Sequence, residues 1–355
     1  MSRSKALFIC GSINQTTQMH QIARELPEVD ASFSPYYGGR EVELMRRLGA
    51  LEATIGGDKL RGRCLEYLRD HGLSVDDGGA RGGYDLVLLC SDLVWPDNVD
   101  GRRVVLVQEG MTDPESVLFP LVQRLRFLPR WLAGTSATGL SDRYARFCVA
   151  SPGYRDLFVR RGARPEKIVV TGIPNFDDCA CYRDNDFPFR NYVLVCTSDI
   201  REVFWYEDRA KFLRRVRDIA AGRPLLFKLH PNEKVSRAVA EIARILPEAS
   251  VLTGGCAEHM VANCDVLICQ YSSLAYVGLA LGKEVHSFFD VGELRRLMPL
   301  QHGRAARNIA GVCRELLAGP ARAVREPPAP ADAARGRLNG PSAHARPAEI
   351  DEVRA

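Results

Sequence analysis

Short apolar runs of strand length recur along the chain, separated by longer stretches with helical periodicity. In the first half the runs fall at 6–10, 86–90, 104–108, 147–150 and 168–171, and the spacing between them predicts helices over 17–26, 39–50, 58–71 and 152–161. A second series begins at 192–197. It continues with strands over 224–229, 250–252, 266–269 and 284–289, alternating with helices over 208–221, 235–246, 259–264 and 274–281. Apolar runs without internal alternation, interleaved with helices, are the pattern of parallel sheets covered on both faces. The fold class is α/β, and the two series predict two parallel-sheet domains facing each other across a cleft.

The segment from Gly172 to Pro188 is rich in proline, asparagine and aspartate and reads as the boundary. It divides the chain into a first domain over 1–178, a linker over 179–190 and a second domain over 191–321. Beyond 322 the composition shifts to alanine, proline, arginine and glycine, which cannot offset ordering entropy by burial, so 322–355 is expected to be disordered.

Two of the apolar runs end in chemistry. Leu225-Leu-Phe-Lys-Leu stops at His230-Pro-Asn-Glu233, and Val266-Leu-Ile-Cys stops at Gln270-Tyr-Ser-Ser273, where a helix opens. Paired polar strand ends are where open parallel sheets bind ligands. Ser272 and Ser273 at a helix start supply hydroxyls, backbone amides and a favourable dipole for a diphosphate. The competing account makes Ser272 a plain helix cap and His230 a satisfied strand-end residue. Lys228 lies two residues before His230 and shares its side of the strand, as a phosphate contact or as a solvated lysine.

Composition narrows the classes. With 355 residues, 46% hydrophobic and 26% charged, the chain is long enough for two full cores, and a net charge of +4 gives no concentrated basic face for nucleic acid. The eleven cysteines are scattered, several inside strand-like runs, and Cys179-Ala-Cys181 fits neither a redox motif nor the usual zinc spacings, so no metal site is read. The first apolar run is too short for a signal peptide and no window reaches membrane-span length, so a cytoplasmic protein, at most peripheral on a membrane, is expected. The stretch over 119–134 mixes large apolar residues, tryptophan and arginines with no acid. That is the composition of an interfacial membrane element, although an amphipathic helix packed on its own domain with a basic outer face is the commoner arrangement.

The ordered series 84–90, 104–110, 146–162 and 165–174 carries a resemblance. It resembles the two-Rossmann GT-B superfamily, in the branch that holds UDP-N-acetylglucosamine 2-epimerases and capsule or teichoic-acid (CDP-glycerol glycerophosphotransferase-like) transferases, from about Ala6 to Leu317. The epimerases' His-Glu-Ala-Gly turn corresponds to Gln108-Glu-Gly110 and their His-Pro-Arg-Glu to His230-Pro-Asn-Glu233. Their Gly-Asp-Thr motif is absent, the chain reading Ser91-Asp-Leu93, and their Ser-Gly-Gly turn is replaced by Tyr271-Ser-Ser273, as in the transferases.

The resemblance implies that His230 reaches the donor phosphates or leaving oxygen, and that Asp290 or Glu293 falls where relatives bind the ribose, with a helix cap the competing role for Asp290. Gly11 and Ser12 match the loop used near acceptor and diphosphate. Glu109, ending a strand at the cleft, is the candidate general base, against a structural carboxylate. His20 is a second base candidate, against ordinary helix packing. The expected activity is metal-independent transfer of a sugar or polyol phosphate, without a cofactor, from a nucleotide-sugar donor to a saccharide or lipid-linked acceptor in cell-surface polysaccharide or glycolipid synthesis. A UDP-N-acetylglucosamine 2-epimerase and a non-catalytic nucleotide-sugar-binding protein are the alternatives.

Overall fold

A computed structural model describes residues 3–35, 58–96, 99, 102–125, 127–198, 201–202 and 207–319. The helix expected over 39–50 and the tail over 322–355 lie outside the described residues.

Among the described residues, eleven strands form two all-parallel sheets. The first holds β1 (Lys5–Ile9), β2 (Asp30–Ser34), β3 (Leu86–Leu89), β4 (Arg103–Val107), β5 (Arg146–Val149) and β6 (Ile168–Val170), in the order β2-β1-β3-β4-β5-β6. The second holds β7 (Val193–Cys196), β8 (Leu225–Lys228), β9 (Ser250–Leu252), β10 (Val266–Cys269) and β11 (Glu284–His286), in the order β11-β10-β7-β8-β9. The central strands β3, β7 and β10 are apolar throughout and buried at every residue, as strands covered by helices on both faces require. Their registers pair Val87 with Val104 and Leu267 with Leu194, so large side chains of neighbouring strands stack in layers. The edge strand β2, Asp-Ala-Ser-Phe-Ser, has one large apolar residue and gives no sequence signal; pairing with β1 makes it a strand.

The helices are α1 (Ile13–Arg24), α2 (Asp58–Asp70), α3 (Phe119–Arg124), α4 (Pro152–Arg161), α5 (Arg209–Ala220), α6 (Val235–Ile245), α7 (Ala257–Asn263), α8 (Leu274–Ala280), α9 (Val291–Leu297) and α10 (Ala305–Ala318). Helix α1 starts four residues before the expected position because Ser12 caps it, its hydroxyl accepting from the Gln15 amide at 3.2 Å. Helix α4 shows the full set of end signals: Ser151 as cap, Pro152 in the first turn and Gly162 in the left-handed conformation at its end.

Sequence order puts α10 in the second domain, yet it packs on the first. Ile309, Ala310, Val312 and Cys313 belong to the same buried cluster as Phe8, Met19, Val105 and Cys148. Arg103 donates to the carbonyls of Leu317 (3.2 Å) and Gly319 (2.7 Å), and Arg314 pairs with Glu28 at 2.7 Å. The chain thus crosses between domains twice, at 171–192 and again after α9.

The domains meet along the carboxyl end of β5 and the start of α4. The Ser151 hydroxyl donates to the Leu297 carbonyl (3.0 Å), the Leu300 amide to Ala150 (3.0 Å), and the Tyr154 and Tyr276 hydroxyls sit 2.7 Å apart in the buried seam. One apolar cluster runs through it, joining Tyr154 and Phe158 to Tyr276, Val277, Leu294 and Leu297. Gly153 is required at this point. A Cβ there would stand 2.0 Å from the Arg296 carbonyl oxygen and 3.2 Å from the Leu297 Cα, and neither backbone can yield without separating the domains. Gly153→Ala is expected to lower stability by about 1–3 kcal/mol in urea denaturation. An unchanged midpoint would show that the seam has room for a methyl group at position 153.

Candidate functional site

A cleft of about 880 Å³ opens between the domains. It lies at the carboxyl ends of the strands, beside the points where strand order reverses: between β1 and β3 in the first sheet, and between β7 and β10 in the second.

Glu109 is the centre of the first-domain wall. It follows β4, lines the cleft, and receives two hydrogen bonds from the start of α1: Ser12 Oγ to Oε1 at 2.9 Å and Gln15 Nε2 to Oε2 at 2.7 Å. Gln15 is itself held by the Gly11 amide, which donates to its Oε1 at 2.9 Å. Gln108 locks the same turn from beneath, donating to the Gly110 carbonyl (2.7 Å) and accepting the Ala150 amide (2.9 Å). Burial pushes the Glu109 carboxyl above its ordinary range, and the bonds from Gln15 and Ser12 only partly oppose this. Gln15 and Gln18 are buried polar residues of α1 with no signal in the sequence, because a glutamine on a helix carries no local mark of the strand end it will meet.

The carboxylate next along the sheet is spent elsewhere. Asp92, fully buried after β3, accepts from the amides of Gly139 (2.9 Å) and Ser141 (3.0 Å) and so anchors the loop before β5. Ser91, not Asp92, lines the cleft.

His20 points away from this wall. Its Nδ1 lies 3.0 Å from the Tyr67 hydroxyl on α2 and its ring stands edge-on to His71, while burial, then the charges of His71 and Arg24, lower its pKa. It is not among the residues lining the cleft.

The boundary segment that starts at Gly172 adds Asn175, Asp177 and Asp178 to the cleft wall. Asp177 accepts from the Ala305 amide at 2.6 Å, capping α10, and burial raises its pKa against that bond. Asp113 and Glu258 also line the cleft, so the charged side chains among the described lining residues are all acids. Together with Asn14, Thr17, Gln21 and Asn175 they form a wall of hydrogen-bond acceptors and amides suited to hydroxyl groups.

On the second domain Ser273 lines the cleft and Ser272 accepts the Leu274 amide at 3.3 Å, so both serines stand at the start of α8. Tyr271, half exposed, packs edge-on to Phe288 and Phe289 with centroids 5.4 and 5.1 Å away. Tyr271 and Phe289 line the cleft, an aromatic contact that the Tyr271-Ser-Ser273 turn does not by itself reveal.

His230 stands at the end of β8, outside the cleft lining. Its backbone amide donates to Thr197 Oγ1 (3.1 Å) and its Nδ1 accepts from the Asn232 amide (3.3 Å), which in the neutral ring leaves the proton on Nε2. Lys228 directs its ammonium to the Thr253 carbonyl at 3.1 Å and the Leu229 carbonyl at 3.3 Å. Asp290 caps α9 by accepting the Glu293 amide at 2.6 Å, and Glu293 is paired with Arg296, whose hydrogen bonds lower its pKa. Neither lines the cleft.

Beneath the second-domain strand ends lies a buried charge network. Glu233, its side chain fully buried, pairs with Arg209 and accepts from Thr197, while Arg201 and Arg209 also meet Glu207 and Glu241. Gln270 ties it to the switch point, accepting from the Ser198 amide and hydroxyl and donating to Glu207.

These features decide the architecture. The fold is GT-B. The chain resembles UDP-GlcNAc 2-epimerase from Neisseria meningitidis, solved with UDP-GlcNAc bound, at 11% identity and a TM-score of 0.55, covering 88% of this chain and 100% of that one. S. aureus MnaA, solved with UDP, aligns at 12% identity and a TM-score of 0.54 over 89% of this chain and 88% of that one. A putative UDP-N-acetylglucosamine 2-epimerase from Listeria monocytogenes gives 14% identity and a TM-score of 0.52, with 90% and 89% covered. No protein-family model and no curated protein matches the chain. Within the GT-B frame, the Glu109 turn belongs to the first domain and the Ser272–Ser273 turn to the second.

Glu233→Ala leaves Arg209 in the interior without its closest acid, and is expected to cost about 3 kcal/mol in urea denaturation. A loss below about 0.5 kcal/mol would mean that Glu207 and Glu241 alone neutralise the arginines.

Proposed function

We propose that this protein is a GT-B transferase that moves a sugar or polyol phosphate from a nucleotide-activated donor to a hydroxyl of a saccharide or lipid-linked acceptor, in cell-surface polysaccharide or glycolipid synthesis at the cytoplasmic face of the membrane. The observation that carries the reading is the Glu109 carboxylate: half-buried, held at both oxygens, raised in pKa, and set in a cleft wall rich in groups that bind hydroxyls.

In this reading the acceptor hydroxyl rests against Glu109. The acceptor oxygen forms its bond to the transferred group as the bond joining that group to the nucleotide phosphate breaks. The bonding electrons pass to the phosphate oxygen and the acceptor proton to Glu109. Ser12 and Gln15 fix the carboxylate's orientation, so neither oxygen swings out of line. The serine turn at Tyr271-Ser-Ser273 and the Nε2 of His230 would meet the phosphates, a role that requires His230 to approach the cleft when donor binds. Tyr271 offers a ring face to a base or sugar.

The likeness to 2-epimerases is one of fold. Epimerisation at C2 needs acid and base groups on both faces of the sugar, and the neighbouring carboxylate, Asp92, is committed to two backbone amides. That withdraws Asp92 from such chemistry and supports transfer; an epimerase would have to draw its second group from Asp113, Asp177, Asp178 or Glu258 instead.

Purified protein should consume at least one donor from a panel of UDP-, CDP- and GDP-linked compounds, slowly to water and faster with acceptor. Glu109→Gln should lower kcat by about 10²–10⁴ while donor binding persists, and His230→Ala should also slow the reaction. Binding without turnover, indifferent to both changes, would overturn the proposal, and a C2-inverted sugar would identify an epimerase.

The pH dependence has a defined sign. Because burial raises the Glu109 pKa, kcat/KM should fall as pH drops through that raised value, at a higher pH than an exposed glutamate near 4.3 would give. By linkage the folded protein holds this proton more tightly than the unfolded chain. Ionisation of Glu109 thus costs stability above its folded pKa, and the cost is relieved as pH falls through it. Glu109→Gln should remove that component from the pH profile of the thermal midpoint.

A further inference from the structure

The hairpin between β4 and β5 has two apolar faces. Its inner face buries Phe119, Val122, Ala133 and Ala137 against Leu93, Leu128 and Leu140. Its outer face carries Val117, Leu118, Leu121, Phe127, Trp131 and Leu132, with exposures from 37% to 95%. Those six are half of the twelve large apolar residues exposed among the described residues, so the patch is a local concentration and not a background of stray side chains. Helix α3 exposes Gln123 and Arg124 as an amphipathic helix packed on its own domain would, but Leu121 and the flanking Val117, Leu118, Phe127 and Trp131 are exposed beside them.

We propose that this outer face is an interfacial anchor that seats the first domain on a bilayer containing anionic lipid. Three arginines, Arg124, Arg126 and Arg130, and no acid lie between Ser116 and Thr135, giving a positive segment complementary to acidic headgroups. Of these, Arg124 on α3 is the one that faces solvent among the described residues; Arg130 is half-buried, its Nε donating to the Asp92 carbonyl at 2.8 Å, and Arg126 lies outside the described residues. Trp131 and Phe127 are side chains that favour the headgroup boundary. A short apolar hairpin flanked by cations enters an interface without crossing it, and among the described residues no helix is long and apolar enough to cross a membrane.

The stem of the hairpin is rigid and belongs to the cleft. Asp113 accepts from the Thr135 amide (3.0 Å) and hydroxyl (2.7 Å), and both residues line the cleft. Gly134 at φ +61° leaves room for that clasp, since a Cβ would come within 2.9 Å of Asp113 Oδ2. Buried Arg161 ties the other side, donating to the Asp113 carbonyl (3.0 Å) and Thr112 Oγ1 (3.1 Å), and its own carbonyl accepts from Gln123 (2.8 Å). A membrane holding the hairpin tip would therefore lie beside the Glu109 wall, where a lipid-linked acceptor is delivered; only that purpose rests on the transferase reading.

Sedimentation with vesicles, without donor, tests the binding alone. The full chain is expected to bind phosphatidylcholine vesicles containing phosphatidylglycerol more tightly than pure phosphatidylcholine, less so as salt rises, with tryptophan emission shifting to the blue in a manner lost in Trp131→Phe. The double variant Leu121→Glu, Phe127→Glu should bind about 100-fold more weakly, with an unchanged circular dichroism spectrum and unchanged turnover of a water-soluble acceptor. Absence of binding at low salt would overturn the proposal. So would a dimer in solution that the double variant converts to monomer, which would make the face an interface between copies. Vesicle binding by a protein that transfers nothing would sink the transferase reading and leave the anchor standing; transfer without vesicle binding would do the reverse.

Discussion

The contact of α4 against α9 and α8 is the constraint on which the rest of the structure depends. Two parallel sheets, each with its own core, become one body because Gly153 lets the backbone of α4 touch the Arg296 carbonyl. Ser151 and Ala150 bond across the gap, and Tyr154 meets Tyr276. Backbone contact leaves no slack, and in the closed seam the two buried hydroxyls satisfy each other where no water reaches them. The second tie, α10 returning to the first sheet, runs through Asp177, which caps that helix and also faces the cleft. Domain arrangement and cleft shape are thus fixed by the same few residues.

Within the cleft, two carboxylates on neighbouring strand ends show how environment assigns roles. Asp92 and Glu109 follow adjacent strands β3 and β4, the first fully buried and the second half-buried at the cleft wall. Asp92 receives backbone amides of a neighbouring loop and becomes a structural anchor. Glu109 receives side chains from α1 and remains at the cavity wall with burial raising its pKa. The distinction is one of which donors arrive, and donors arrive by tertiary placement.

The second domain makes a different compromise. Its strand ends stand over a dense set of arginines and glutamates, with Glu233 and Gln270 joining β8 and β10 to α5 and the loop after β7. Such a network is costly to break and so holds the Ser198 and Ser272 turns in register. The residues first suspected of touching a ligand divide accordingly. Ser273 reaches the cleft, whereas Lys228, Asp290 and Glu293 are engaged in local bonds.

The chain by itself determined the alternation of buried strands and helices, because unbroken apolar runs such as 86–89 and 266–269 can be satisfied only inside a covered parallel sheet. It also determined the strand-end turns at Glu109, His230 and Ser272–Ser273, because polar residues after a buried run must fall at a sheet edge. Tertiary structure alone decided the rest. Strand β2 is a strand only through its partner; α10 belongs to the domain it packs on and not to the one it follows. His20 was drawn to α2 by Tyr67 and His71, and Glu109 was selected by Gln15 and Ser12, about ninety residues away in the chain. Local pattern specifies which face of an element is apolar. Which polar group meets which depends on contacts between distant segments, and no local pattern encodes them.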